Sequence, residues 1–264
     1  MKKFLAFISA TLLLMSSLLL VACGSVPIEE ITIDKSVTEY KVGDTFTLNY
    51  TTVPEDAADQ IKVNWEISDS TILSCKNGEF TAHTFGTVTV KANVKGNEAT
   101  DEIELEIKAP DGFGTYTAKG YKLVYPEKWN YQTLAGLPTW MASNGSANMN
   151  IETSALNKTY FAASASAFQS AFETQYALMG MQGTFTQPVT LKKEKYLGIQ
   201  RVRLDWAYSV TQAGVTVTLH QSQMIINNEA ENMSCLLTIT CQEQNYDAAF
   251  KQMEDTIYSQ FTVA

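Results

Sequence analysis

Few side chains in this chain of 264 residues are of a kind that does chemistry near neutral pH. His83 and His220 are its only histidines, the one side-chain type whose unperturbed titration falls there. A nucleophilic Ser or Cys needs a base within hydrogen-bond reach and a third group to orient that base. The two histidines fall in what read as separate domains, so each would have to serve alone. His220 stands in the alternating run from Val215 to Gln221, in phase with Thr216 and Thr218. That phase predicts a solvated or cross-strand imidazole. No G-x-S-x-G, H-E-x-x-H, P-loop or dinucleotide fingerprint occurs. Gly180-Met181-Gln182-Gly183 lacks a following Lys-Ser/Thr and reads as a helix terminator. No His/Asp/Glu cluster has ligand spacing, so neither a metal nor a cofactor is expected.

Carboxylates are the remaining catalytic option, because an acid/base pair of them leaves no linear motif. Asp205 lies among aromatics in Leu204-Asp205-Trp206-Ala207-Tyr208. Strand alternation puts Arg201, Arg203 and Asp205 on one face, which predicts a surface row of ion pairs. The aromatics offer a different chemistry. Trp129, Tyr131, Trp140, Trp206 and Tyr208 together would make a platform for a glycan or a peptide.

Cys23 is the residue with the clearest chemical context. Lys2 and Lys3 precede an uncharged, Leu-rich run from Phe4 to Val21, and small Ala22 stands before the cysteine. The run reaches only about 27 Å at ~1.5 Å per residue and no basic cluster follows it, so it reads as a secretory signal. Leu20-Val21-Ala22-Cys23 resembles the bacterial lipobox. The resemblance implies cleavage before Cys23, a thioether-linked diacylglycerol on its sulfur and acylation of the new amino terminus. Residues 1–22 are then a signal peptide and 23–27 a lipidated tether, with the protein extracytoplasmic and held to the cell membrane by lipid. The formal net charge of −9 and pI of 4.8 give no basic patch for nucleic acid and no attraction to an anionic bilayer. Membrane contact therefore rests on the lipidated Cys23. Cys75, Cys235 and Cys241 make no disulfide framework. The last two fall in one predicted strand, about 20 Å apart at ~3.3 Å per residue, where a bridge needs about 7 Å or less.

These groups need positioning, and the elements are legible. Residues 28–108 alternate apolar and polar in short runs punctuated by Asn77-Gly78 and Lys95-Gly96-Asn97, the pattern of a β-sandwich. Ile31-Thr32-Ile33-Asp34-Lys35-Ser36, Val42-Gly43-Asp44-Thr45, Val53-Pro54, Val63-x-Trp65, Ser68-Asp69 and Gly86-Thr87-Val88-Thr89-Val90 resemble, in that order, group 2 bacterial Ig-like domains of the invasin/intimin type. The resemblance implies a spacer with Trp65 in its core. Residues 109–112 form a short linker, Pro110 and Gly112 marking the break, which would let two domains pivot.

Residues 113–264 predict an α+β domain. A helix from about Ser166 to Met179 presents Phe168, Phe172, Tyr176 and Met179 on one side. Long antiparallel strands follow at 184–195, 199–210, 215–226 and 233–241, then a closing helix over 246–258. Gly120-Tyr121, Tyr125-Pro126 and Trp129, with long strands ending in a helix and Phe261, resemble the PsbP-like fold. The whole reads as a surface lipoprotein without catalytic residues. Its Ig-like domain is a spacer and its C-terminal domain a binder or scaffold for a surface protein or wall component, with no nucleic-acid partner. The alternative is an extracytoplasmic hydrolase that uses dispersed carboxylates.

Overall fold

The structure, a computed structural model, describes residues 28–181, 183–212 and 214–264; Cys23 and the lipobox lie outside them. In the first domain β1 (Glu30–Ile33) pairs with β4 (Tyr50–Val53). β2 (Glu39–Lys41), β5 (Val63–Ile67), β8 (Gly86–Val94) and β9 (Thr100–Lys108) form a sheet in the order β2-β9-β8-β5. β3 (Thr45–Thr47), β6 (Leu73–Lys76) and β7 (Glu79–Ala82) form a second, in the order β3-β7-β6. Alternation does what the sequence predicts. Val88, Val90, Ala92 and Val94 of β8 and Ile103, Leu105 and Ile107 of β9 point inward and pack with Leu73 and Phe80. Trp65 packs edge-on against Phe80, with ring centroids 5.3 Å apart, yet it stays half-buried at the margin of that core.

The chain enters and leaves this domain at opposite ends. Asn97 Nδ2 donates to the Ile28 carbonyl at 2.9 Å beside the β8–β9 turn, whereas β9 delivers Lys108 to the linker at its far end. Nine residues of strand at about 3.3 Å each separate the two points by roughly 30 Å.

The second domain is built on a seven-stranded antiparallel sheet in the order β12-β13-β14-β18-β17-β16-β15. Its strands are β12 (Asn130–Leu134), β13 (Leu137–Met141), β14 (Ala147–Ala155), β15 (Gly183–Tyr196), β16 (Ile199–Gln212), β17 (Val215–Asn228) and β18 (Met233–Gln242). Helix α1 (Ala165–Leu178) covers one face, where Phe168 and Tyr176 pack with Val202, Leu204, Trp206 and Ile225. Ser164 caps it, and Gly180 at φ 72° ends it, because only glycine takes the left-handed region without strain. The other face carries the hairpin of β10 (Phe113–Ala118) and β11 (Tyr121–Pro126), together with helix α2 (Ala248–Gln260). There Leu123, Met149, Ile151, Ile226, Leu237, Ile257, Tyr258 and Phe261 form a separate core. The β17–β18 turn falls after Asn228, two residues later than the Asn227-Asn228 pair suggests. Cys235 and Cys241 lie in β18 as buried free thiols.

The two domains touch each other beyond their linker. Phe85 of the first domain is buried in the α2-side core of the second. Lys122 Nζ donates to the Phe85 carbonyl at 2.9 Å and Gln260 Nε2 to the His83 carbonyl at 3.0 Å. A Cβ on Gly86 would lie 2.8 Å from Ile72 and 3.6 Å from Lys122 Nζ. Side chains from both domains close the joint.

Candidate functional site

The densest polar chemistry lies between the sheet and α2. Alternation along β16 does put Arg201, Arg203 and Asp205 on one face, but it is the face that α2 covers, so they form no surface row. Arg201 is 6 % exposed and bonds Glu194 and the Tyr258 carbonyl, the latter at 2.9 Å. Ser222 of β17 lies opposite Asp205, and His220 opposite Ala207. Helix α2, capped by Asp247 on the Phe250 N–H at 2.8 Å, turns Phe250, Glu254, Ile257 and Tyr258 toward the sheet, and Phe261 just past its end is buried in the same core. Glu254 thus takes a core position of an amphipathic helix and is completely buried.

A carboxylate so placed has to be bonded. Arg203 Nη2 lies 2.7 Å from Glu254 Oε2 and 3.1 Å from Asp205 Oδ1, while its Nη1 reaches Asp255 Oδ1 at 2.5 Å. Ser222 donates to Glu254 Oε1, and Tyr246 to Oε2 at 3.2 Å. Burial pushes the Glu254 carboxyl above its usual range in spite of the Ser222 and Arg203 bonds, which pull it back. Burial also opposes the Arg203 charge, but Asp255, Asp205 and Glu254 outweigh it and hold the guanidinium protonated. Tyr258, within reach of Ser222 at 2.8 Å, is raised well above an ordinary phenol by burial and then by the Glu254 charge.

His220 is not solvated. It is 6 % exposed and stacks on Tyr246 with ring centroids 3.4 Å apart. Its Nδ1 lies 3.6 Å from Glu243 Oε2. Among the described residues, neither ring nitrogen nor that carboxylate oxygen has a hydrogen-bond partner. Burial, ahead of the opposing Glu243 charge, lowers the imidazole's affinity for a proton. One ligand atom each from Asp205, His220 and Glu254 lies within 4.8 Å of the others. Three different elements supply them, which is why no linear spacing announces the group.

The aromatic platform does not assemble. Trp140 is 1 % exposed and packs beneath the β10–β11 hairpin, 5.0 Å from Tyr116 and 5.4 Å from Tyr125. Trp206 and Tyr208 are buried on the opposite face of the sheet. There Trp206 stacks on Phe172 at 4.4 Å and donates through Nε1 to Tyr176 Oη at 3.0 Å, and Tyr208 packs on Tyr176. Only Tyr131, 53 % exposed, and half-buried Trp129 reach the surface. Trp129 walls a groove of about 520 Å³ with Phe113, Pro126, Gln252, Met253 and Thr256.

Residues 27–103 match the bacterial Ig-like domain (group 2). No curated protein matches the chain. Among solved structures, cyanobacterial PsbP (CyanoP) from Synechocystis sp. PCC 6803 matches at 16 % identity and a TM-score of 0.46, over 59 % of this chain and 94 % of that one. A mutant of the protein Mog1 matches at 9 % identity and a TM-score of 0.36, over 57 % and 96 %. The N-terminal side of the chain thus matches a group 2 bacterial Ig-like domain, and an α+β domain built on a seven-stranded antiparallel sheet follows it.

Proposed function

We propose that this protein is a lipid-anchored extracytoplasmic lipoprotein and a non-catalytic binder or scaffold. Its Ig-like domain holds the C-terminal domain away from the bilayer. The observation that carries the reading is the polarity of the first domain. Ile28, next to the lipobox segment, sits beside Asn97 at one end, and the joint with the second domain lies roughly 30 Å away at the other. The buried joint at Phe85 and Lys122 then presents the C-terminal domain in one orientation instead of a swept volume. Within that domain the Trp129 groove is an accessible recess lined by Phe113, Pro126, Met253 and Lys128, with a composition suited to a surface protein or a wall component. The hydrolase alternative has Asp205 and Glu254 as its carboxylates, but the Arg203 guanidinium pairs with both, and neither is a free acid or base.

Two measurements test this. Cys23→Ala should abolish fatty-acid labelling and release the protein from the membrane fraction; unchanged membrane retention would refute anchoring through Cys23. A photo-crosslinking residue in place of Gln252, in the groove, should form adducts on intact cells, and one in place of exposed Thr87 of the Ig-like domain should not. Adducts at Thr87 alone would exchange the roles of spacer and binder.

A further inference from the structure

We propose that the pocket between β16, β17 and α2 binds a divalent transition-metal ion through His220, Asp205 and Glu254. Two independent observations carry the assignment. The first is the orphaned imidazole: a ring 94 % removed from solvent, with no partner on either nitrogen, is rare because buried polar atoms are almost always bonded. One of its ring nitrogens sits within 4.8 Å of a carboxylate oxygen from each of two other elements. Bonds of 2.0–2.2 Å place tetrahedral ligands about 3.4 Å apart, so the three side chains need close in by only roughly an ångström.

The second observation is the charge balance. Among the described residues Arg203 is the one cation bonded to these acids, and it is shared by Asp205, Glu254 and Asp255. Glu243 adds a further carboxylate, bonded only to the neutral Gln187 through Oε1, with Oε2 orphaned beside His220. One guanidinium against this many acids leaves negative charge at a fully buried carboxylate, and a divalent cation has the sign and magnitude to offset it. On binding, Arg203 would remain with Asp255 and with the carboxylate oxygens that face away from the ion. Ser222 and Tyr246 already orient Glu254, the outer-shell support that ligating carboxylates receive. A nitrogen donor beside carboxylates suits Zn²⁺, Co²⁺ or Mn²⁺, whereas Ca²⁺ and Mg²⁺ take oxygen ligands. Asp205 and Glu243 keep about a third of their side-chain surface in solvent, 29 % and 35 %, which gives the ion a way in.

The test exploits the fact that the chain has two histidines. The full chain in detergent, freed of metal by a chelator, is titrated with Zn²⁺ while the imidazole ring protons are followed by NMR, with His83→Gln assigning them. His220 should shift and saturate at one ion per chain while His83 stays still. Glu254→Gln should weaken the binding by about tenfold or more, since even outer-shell losses cost that much. Should Glu254→Gln fail to fold, Asp205→Asn is the second variant and the same loss is expected. A His220 signal unmoved by excess Zn²⁺, a shift confined to His83, or an affinity unchanged in a folded carboxylate variant would overturn the assignment.

Discussion

Lys122 of the second domain donates its ammonium to the carbonyl of Phe85 in the first, 2.9 Å away, and is 8 % exposed. Burial lowers the proton affinity of this amine, with Asp69 opposing. The ammonium also lies 5.3 Å from the centre of the Phe85 ring, so one residue supplies it with both a hydrogen bond and a π face. Lys122→Ala removes both and opens a void under Phe85. Spin labels at Thr87→Cys and Lys193→Cys, with Cys75→Ala, should report one narrow interdomain distance in the parent. Lys122→Ala should broaden it, and a distribution equally narrow in both would mean that the joint does not depend on this side chain.

Arg203→Met should be among the most destabilising single changes in the chain. It leaves Glu254 buried with no cation, a loss that in buried pairs runs to about 3–5 kcal/mol. The double variant Arg203→Met, Glu254→Leu should recover most of it, because an apolar pair of similar volume can replace a buried ion pair. Urea denaturation of the three proteins decides this; additive losses would show that Arg203 acts through Asp205 and Asp255 alone.

Tyr176→Phe removes one oxygen, yet that oxygen accepts from Trp206 Nε1 at 3.0 Å and donates to Gln221. The buried indole N–H then has no acceptor, which costs about 1–3 kcal/mol. Tyr160→Phe, which changes an ordinary ring at the margin of the same core, is the control and should be within about 0.5 kcal/mol of the parent.

Burial depresses the proton affinity of His83 below the ordinary 6.5, and its Nε2 lies 2.7 Å from Ser74 Oγ. The unfolded chain therefore binds the proton more readily, and stability rises with pH between the folded value and 6.5. On acidification through that interval the stability should fall, and His83→Gln should flatten the slope. A ring titrating by NMR at or above 6.5 would refute the sign.

The three described cysteines should react in a set order. Burial pushes the Cys235 and Cys241 thiols up to about 11, and both point into the α2-side core. Cys75 is half-exposed. Iodoacetamide on the native protein should modify Cys75 first and the other two only after unfolding. Equal native rates would contradict the packing of β18.

Much of the fold is legible because alternation is a local signal. The runs at Gly86–Val94, Val215–Asn228 and Met233–Gln242 declare themselves residue by residue, as do Phe168, Phe172 and Tyr176 at helical spacing. The site is not legible in that way. The strand phase of Arg201, Arg203 and Asp205 shows that they share a face, but whether water or a helix covers it is decided by α2, about fifty residues downstream. The one signal within the sequence is Glu254, an acid at a position where Phe250, Ile257 and Phe261 call for an apolar residue. The aromatic platform fails for a related reason: Trp140 and Trp206 lie on opposite faces of one sheet, a fact that depends on the register of strands far apart in the chain.

The opposite-end entry and exit of the Ig-like domain also governs how it would carry load. Ile28 leads into β1, which rises in the same sense as β9: Asn97 bonds Ile28, and four residues further on Asp101 accepts from the Ile33 N–H at 2.8 Å. A pull between the Ile28 end and a held C-terminal domain therefore acts along these strands. It would strain the β1–β4, β8–β9 and β2–β9 ladders in shear, many hydrogen bonds at once, instead of peeling them open one by one. In that geometry the first domain is a tension-bearing strut, and the weaker element under force is the side-chain joint at Lys122 and Phe85.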